Sequence, residues 1–174
     1  MITKYIVGDI TETPLRYIAH GVNCQNVMGS GVAKALYTKF PEVKEEYHLY
    51  TTSHRQGISN HGPRFILGRI HRAYSFKKDN PSGSKRIYNC YTQFNFGYDG
   101  KRYVNYSAII HCFENLLKEK LDGPIAIPKI GCGLAGGDWN IVEQLINDTV
   151  GDDLEIWVYE LEPTKYSKQN GDPG

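Results

Sequence analysis

The chain holds only four cysteines, Cys24, Cys90, Cys112 and Cys132, and no two of them form a Cys-x-x-Cys pair. That spacing excludes a zinc ribbon and the disulfide framework of a small secreted domain, and it fits a reducing compartment. Also absent is any apolar run near the ~18 residues that span a bilayer, and Met1 to Val7 contain no apolar core of signal-peptide length. A cytoplasmic protein without a membrane partner is expected. Neither sign of charge dominates: 22% of residues are charged and the formal net charge is +1, so nothing advertises a nucleic-acid-binding domain. Arg69, Arg72, Lys77, Lys78, Lys85 and Arg86 do cluster, but Asp79 and Pro81 interrupt them. The cluster reads as a strand pair with a solvated loop, not a dedicated nucleic-acid patch. No internal repeat is visible, and 174 residues suit one domain. Its expected extent is residues 1–161, followed by a polar tail at 162–174, and a monomer is expected.

What is present is an alternation of apolar strands and amphipathic helices. Short β-prone runs at Ile2–Val7, Tyr17–Val22, Phe65–Ile70, Ile87–Thr92, Pro124–Pro128 and Leu154–Tyr159 are separated by turn signals. Helical spacing runs from Gly31 to Phe40, from Pro41 to Tyr50, from Tyr106 to about Gly123, and after Asp138. Polar, Gly-containing segments at Ser53–Pro63 and Lys77–Lys85 read as loops. Strands separated by helices predict a three-layer α/β/α sandwich around a mixed, mostly parallel sheet.

Two glycine-rich stretches each follow a strand and precede a helix. The first is His20-Gly-Val-Asn23 through Gly29-Ser30-Gly31-Val32, and the second is Lys129-Ile130-Gly131-Cys132-Gly133-Leu134-Ala-Gly-Gly137. Both therefore open at the carboxyl edge of the sheet, where α/β folds bind ligands. Gly131 to Gly136 is a literal G-x-G-x-x-G, with Glu160 as the acid of a rival dinucleotide reading. Only a polar tail follows Glu160, however, and that fold needs further strands after its fingerprint. The Walker lysine is absent as well. Cys132 lacks the following arginine of a phosphatase nucleophile and any evident group to lower its pKa.

Taken together, Gly8-Asp9-Ile10-Thr11, Asn23 with Gly29-Ser30-Gly31, and Pro128 through Gly137 resemble the macro domain family in order and spacing over residues 2–161. The resemblance implies a six-stranded mixed sheet and a cleft for ADP-ribose or ADP-ribose 1''-phosphate, with no cofactor and no metal. Asp9 would then accept from the adenine amino group, with the Ile10 backbone placing the ring, and Asn23 would hold the distal ribose. Backbone N–H groups of Gly29, Ser30, Gly31 and Val32, and of the Ile130-Gly131-Cys132-Gly133-Leu134 segment, would clasp the diphosphate. Such a cradle needs no lysine or arginine.

His20-Gly-Val-Asn23 looks most like the ADP-ribose 1''-phosphate phosphatase subgroup. His20 is then the candidate general acid or base and Asp138 the candidate carboxylate for water, with Asn23 completing the catalytic set. A hydrogen-bonded strand histidine and a helix cap are the competing readings of those two residues. Relatives that remove ADP-ribose from macromolecules use a lysine at the end of the fourth strand and an aspartate after Gly-Cys-Gly-Leu. Gln93 and Ala135 stand near those positions here, so glycohydrolysis of modified protein or nucleic acid, or non-catalytic reading of ADP-ribose, is the alternative.

Overall fold

The computed structural model describes residues 1–54, 64–80 and 83–161. Six strands form one sheet: β1 (Ile2–Val7), β2 (Tyr17–Asn23), β3 (Ile70–Ser75), β4 (Lys85–Gln93), β5 (Ile125–Ile127) and β6 (Ile156–Glu160). Their order is β1-β6-β5-β2-β4-β3, with every pairing parallel except the antiparallel β3–β4 edge. Among the described residues, four helices cover it: α1 (Gly31–Lys39), α2 (Glu42–Ser53), α3 (Tyr106–Lys118) and α4 (Trp139–Val150). The mixed sheet between two helical layers is the architecture expected from the alternating pattern. Among the described residues, no helix is long and apolar enough to cross a membrane.

Strand alternation divides the core in two. Tyr17 and Ala19 of β2, Tyr88 and Cys90 of β4, and Ile125 and Ile127 of β5 pack with Ile109, Phe113 and Leu116 of α3 and Val142 and Ile146 of α4. Ile18, Val22, Ile87, Tyr91 and Ala126 face the other way and pack with Leu36 of α1 and Val43 and Tyr47 of α2. The three residues of β5 are all fully buried, as a central parallel strand covered on both faces requires. Helix boundaries follow local chemistry: Pro41 directly precedes α2, while Asn105 and Asp138 cap α3 and α4 by accepting from Ala108 and Asn140 N–H.

One expected strand is misplaced. Phe65–Ile70 begins as a 3-10 turn at Arg64–Ile66, Gly68 lies at φ 88°, and pairing starts only at Ile70. The strand that does form, Ile-His-Arg-Ala-Tyr-Ser, is an edge strand with Ala73 and Ser75 turned in and Tyr74 out. Its small inward residues give little apolar signal in the sequence. The loop expected at Ser53–Pro63 falls largely on residues 55–63, the turn at Lys77–Lys85 includes 81–82, and the tail is 162–174. These lie outside the described residues.

Candidate functional site

The carboxyl ends of β2, β4 and β5 open into a cleft of about 240 Å³. Asn23, Gly29, Ser30, Gly31 and Val32 form one side of it, and Ile130, Gly131, Gly133 and Leu134 the other. The two glycine loops therefore face each other, as their positions after parallel strands dictate. Their backbones are prepared for an anion. Lys34 N–H makes the first intrahelical bond of α1, to Ser30 O, and Ser30 provides no side-chain cap. The N–H groups of Gly31, Val32 and Ala33 make no hydrogen bond within the described structure. The same holds across the cleft for Gly131, Gly133 and Leu134. Orphan donors at a helix N-terminus opposite a glycine turn make a positive cradle without a cation.

Not every donor of the second segment is available. Ile130 N–H donates to Pro128 O at 2.8 Å and Cys132 N–H to Lys129 O at 3.1 Å, closing the turn that presents the others. Ile130 still lines the cleft, but Cys132 does not. Its thiol donates to Ile130 O, and burial with the nearby Asp138 charge pushes its pKa up to about 11. A neutral, inward thiol is no nucleophile.

Asn23 is held on several sides. Its Oδ1 accepts from Gln25 N–H at 2.9 Å and from the Tyr47 hydroxyl at 2.8 Å, and its Nδ2 donates to Val27 O at 2.8 Å. The second Nδ2 proton has no partner among the described residues. Tyr47 is fully buried, bonds Asn23 O as well, and stacks on Tyr91 with ring centroids 5.9 Å apart.

His20 lines the cleft, whereas Asp138 does not. The His20 ring is buried, with Nε2 2.5 Å from Asn89 Oδ1, and the Asn89 amide donates in turn to Val43 O of α2. Burial lowers the His20 pKa to about 4, so the ring is neutral near pH 7 and ties β2 to β4 and α2. The Nε2 side of the ring is thus engaged within the strand layer. Asp138 is exposed, caps α4 and lies outside the cleft lining.

Asp9 accepts from Thr11 N–H at 2.9 Å and Thr11 Oγ1 at 2.8 Å, capping the 3-10 turn that begins at Ile10. Neither residue lines the cleft. β6 separates β1 from β5, which puts Asp9 roughly 10 Å across the sheet from the β5 loop at about 4.8 Å per strand. That is a span for an extended ligand.

The cleft also has walls that the glycine motifs do not announce, Thr92, Phe96 and Tyr98, and Lys129 of the second loop lines it too. Lys129 pairs with Glu160 at 3.0 Å. Tyr98 is 71% exposed, and the signal available in sequence was the density of aromatics in the Gly-containing 94–104 loop. Among the described residues, no carboxylate lines the cleft and no group of His, Cys, Asp and Glu could hold a metal ion.

An open α/β sheet whose carboxyl edge holds two facing glycine loops with orphan backbone donors defines a class that binds phosphorylated, nucleotide-like ligands. The chain belongs within it to the macro domain family, an ADP-ribose-binding family: the Macro domain model matches residues 19–146. It is 36% identical over 170 residues to an uncharacterized 17.5 kDa protein of Enterobacteria phage T4, covering 94% of this chain and 99% of that one. Similarity to the ADP-ribose 1''-phosphate phosphatase of Debaryomyces hansenii is 29% over 185 residues, covering 91% and 99% of the two chains. A DNA ADP-ribosyl glycohydrolase of Thermus aquaticus is 25% identical over 166 residues, which cover 90% of this chain and 41% of that protein. Thermosipho africanus DarTG in complex with ADP-ribose shares the fold, with a TM-score of 0.69 at 17% identity over 97% of this chain and 44% of that one.

Proposed function

We propose that the protein binds ADP-ribose along the sheet edge and hydrolyses ADP-ribose 1''-phosphate to ADP-ribose and phosphate. The observation that carries this reading is the pair of facing orphan N–H sets, Gly31 to Ala33 and Gly131 with Gly133 and Leu134. They suit a diphosphate and the equatorial oxygens of a phosphoryl group in a loose transition state, where positioning and charge stabilisation do most of the catalysis. Asn23 offers an N–H to the distal ribose, and Asp9 with Ile10 takes the adenine end. Water attacks phosphorus as the bond from phosphorus to the anomeric oxygen breaks, and that oxygen leaves with the sugar, taking up the proton that the attacking water loses. That hemiacetal oxygen is a better leaving group than an ordinary alkoxide, which suits a cleft without a carboxylate among its described lining residues.

The near full-length similarity to a phosphatase of this substrate supports the same reading. The Thermus relative favours a second, release of ADP-ribose from DNA. Gln93 and Ala135, standing near the lysine and aspartate positions of such relatives, weigh against it. Incubation with ADP-ribose 1''-phosphate should release inorganic phosphate. Tight ADP-ribose binding by calorimetry without phosphate release would leave a reader module, and release of ADP-ribose from modified DNA would establish the second reading.

A further inference from the structure

Glu160, set aside with the dinucleotide reading, and Lys129 have no role in the scheme above, although both stand at the carboxyl edge of the sheet. Glu160 ends β6 and pairs with Val7 of β1, and its carbonyl accepts from Gly8 N–H at 2.9 Å. That bond fixes it beside the residue preceding Asp9. Lys129 follows the end of β5 closely and lines the cleft. The two side chains, both partly exposed, meet at 3.0 Å between Nζ and Oε2, and no other described residue bonds the carboxylate.

Strand order decides what this pair can meet. β6 lies between β1 and β5, so the pair occupies the span of roughly 10 Å, at about 4.8 Å per strand, between Asp9 and the glycine cleft. With adenine at Asp9 and the diphosphate between the loops, the part of ADP-ribose that crosses this span is the adenosine ribose. Its polar groups there are the 2'- and 3'-hydroxyls. A carboxylate at the end of a strand accepts from ribose hydroxyls, whereas a 2'-phosphate calls for a free cation. Here the cation is already faced by Glu160. An ion pair this exposed adds little to the stability of the fold, but on the path of the ligand it sets the local charge.

Building on the ADP-ribose reading, we infer that Glu160 is the specificity residue for the adenosine ribose: its carboxylate accepts from the 2'- and 3'-hydroxyls and turns away ligands phosphorylated at the 2' position. Lys129 acts through it, as a positioning residue that holds the carboxylate beside the cleft. A 2'-phosphate brings a second negative group against Glu160, and a 2'-deoxy sugar leaves one carboxylate bond unmade.

Calorimetry of the full chain with ADP-ribose, its 2'-phosphate and its 2'-deoxy analogue on the adenosine side tests this. Wild type should bind both altered ligands about twentyfold more weakly than ADP-ribose, through like-charge repulsion in one case and a lost charge-assisted hydrogen bond in the other. Glu160→Gln should cut both ratios to about fivefold or less, because the amide carries no charge and its hydrogen bond to a hydroxyl is weaker. Lys129→Met should widen the 2'-phosphate ratio, since the carboxylate loses its neutralising partner. A Lys129 that serves only the fold would leave that ratio unchanged, and an unchanged ratio removes it from the assignment. Equal binding of the three ligands by wild type, or ratios that survive Glu160→Gln, overturns the inference. Tighter binding of the 2'-phosphate does so as well and makes Lys129 a phosphate receptor. If ADP-ribose itself fails to bind, the proposed function falls with the inference, whereas binding of ADP-ribose without discrimination strikes the ribose assignment alone.

Discussion

The two glycine loops face the same cleft but use glycine for different reasons. In the second loop a Cβ at Gly131 would lie 2.5 Å from Val104 Cγ2, at Gly136 2.7 Å from the Lys101 carbonyl oxygen, and at Gly137 2.5 Å from the Gly131 carbonyl oxygen. In the first, a Cβ at Gly29 or Gly31 meets nothing within 4 Å. The protein itself demands the second set, because those turns are packed against the 101–104 segment. It demands Gly31 only for its φ of 58° and Gly29 not at all. Nothing in the described structure excludes a side chain at Gly29, so a demand for glycine there can come only from a ligand in the cleft.

The largest effect should fall on the packed side. Gly136→Ala combines φ 74° with a contact to immobile backbone, so roughly 3 kcal/mol of unfolding free energy should be lost. Urea denaturation measures this, and a loss below about 1 kcal/mol would break the comparison at its rigid end.

Beneath the first loop the rigidity is polar instead. The His20 pKa falls from 6.5 to about 4 on folding, so between those values the unfolded chain binds more protons than the folded one. Stability from this group is therefore complete above pH 6.5 and declines as the pH falls toward 4. The full decline is about 3 kcal/mol. Denaturation midpoints of wild type and His20→Gln across that range should diverge in slope by this amount. Parallel curves would mean that the imidazole does not sit neutral in the His20–Asn89–Val43 chain.

The sequence made the glycine loops and nearly all strands and helices legible, because side-chain period and turn residues are local. The exceptions are non-local. His20 and Asn89 are 69 positions apart, and only the parallel β2–β4 register makes them partners. Asp138 reads equally well as a cap or a catalytic acid until the fold shows it outside the cleft. The β3 edge was displaced because Ala73 and Ser75, its inward residues, are small.

Tyr47→Phe probes the join between the two kinds of rigidity. It keeps the stack on Tyr91 but removes the bonds to Asn23 O and Oδ1. A stability loss of about 1 kcal/mol is expected. Looser Asn23 should also weaken ADP-ribose binding several-fold, and an unchanged affinity would show that Gln25 and Val27 suffice to aim the amide.

The smallest effect on stability is the sharpest test of the comparison. Gly29→Ala introduces a methyl group into open space at a residue absent from those with positive φ, so unfolding free energy should stay within about 0.5 kcal/mol of wild type. Its effect on ligand should run the other way. A Cβ beside the α1 N-terminus pushes a diphosphate away from donors that work only at about 2.9 Å, and calorimetry should show at least a tenfold loss of ADP-ribose affinity. Gly136→Ala must be compared at a denaturant-free temperature where it is still folded, and there its affinity should change less than its stability. If Gly29→Ala instead binds ADP-ribose like wild type, the first loop is open for some reason other than close approach of the diphosphate. The clasp would then consist of the second loop alone.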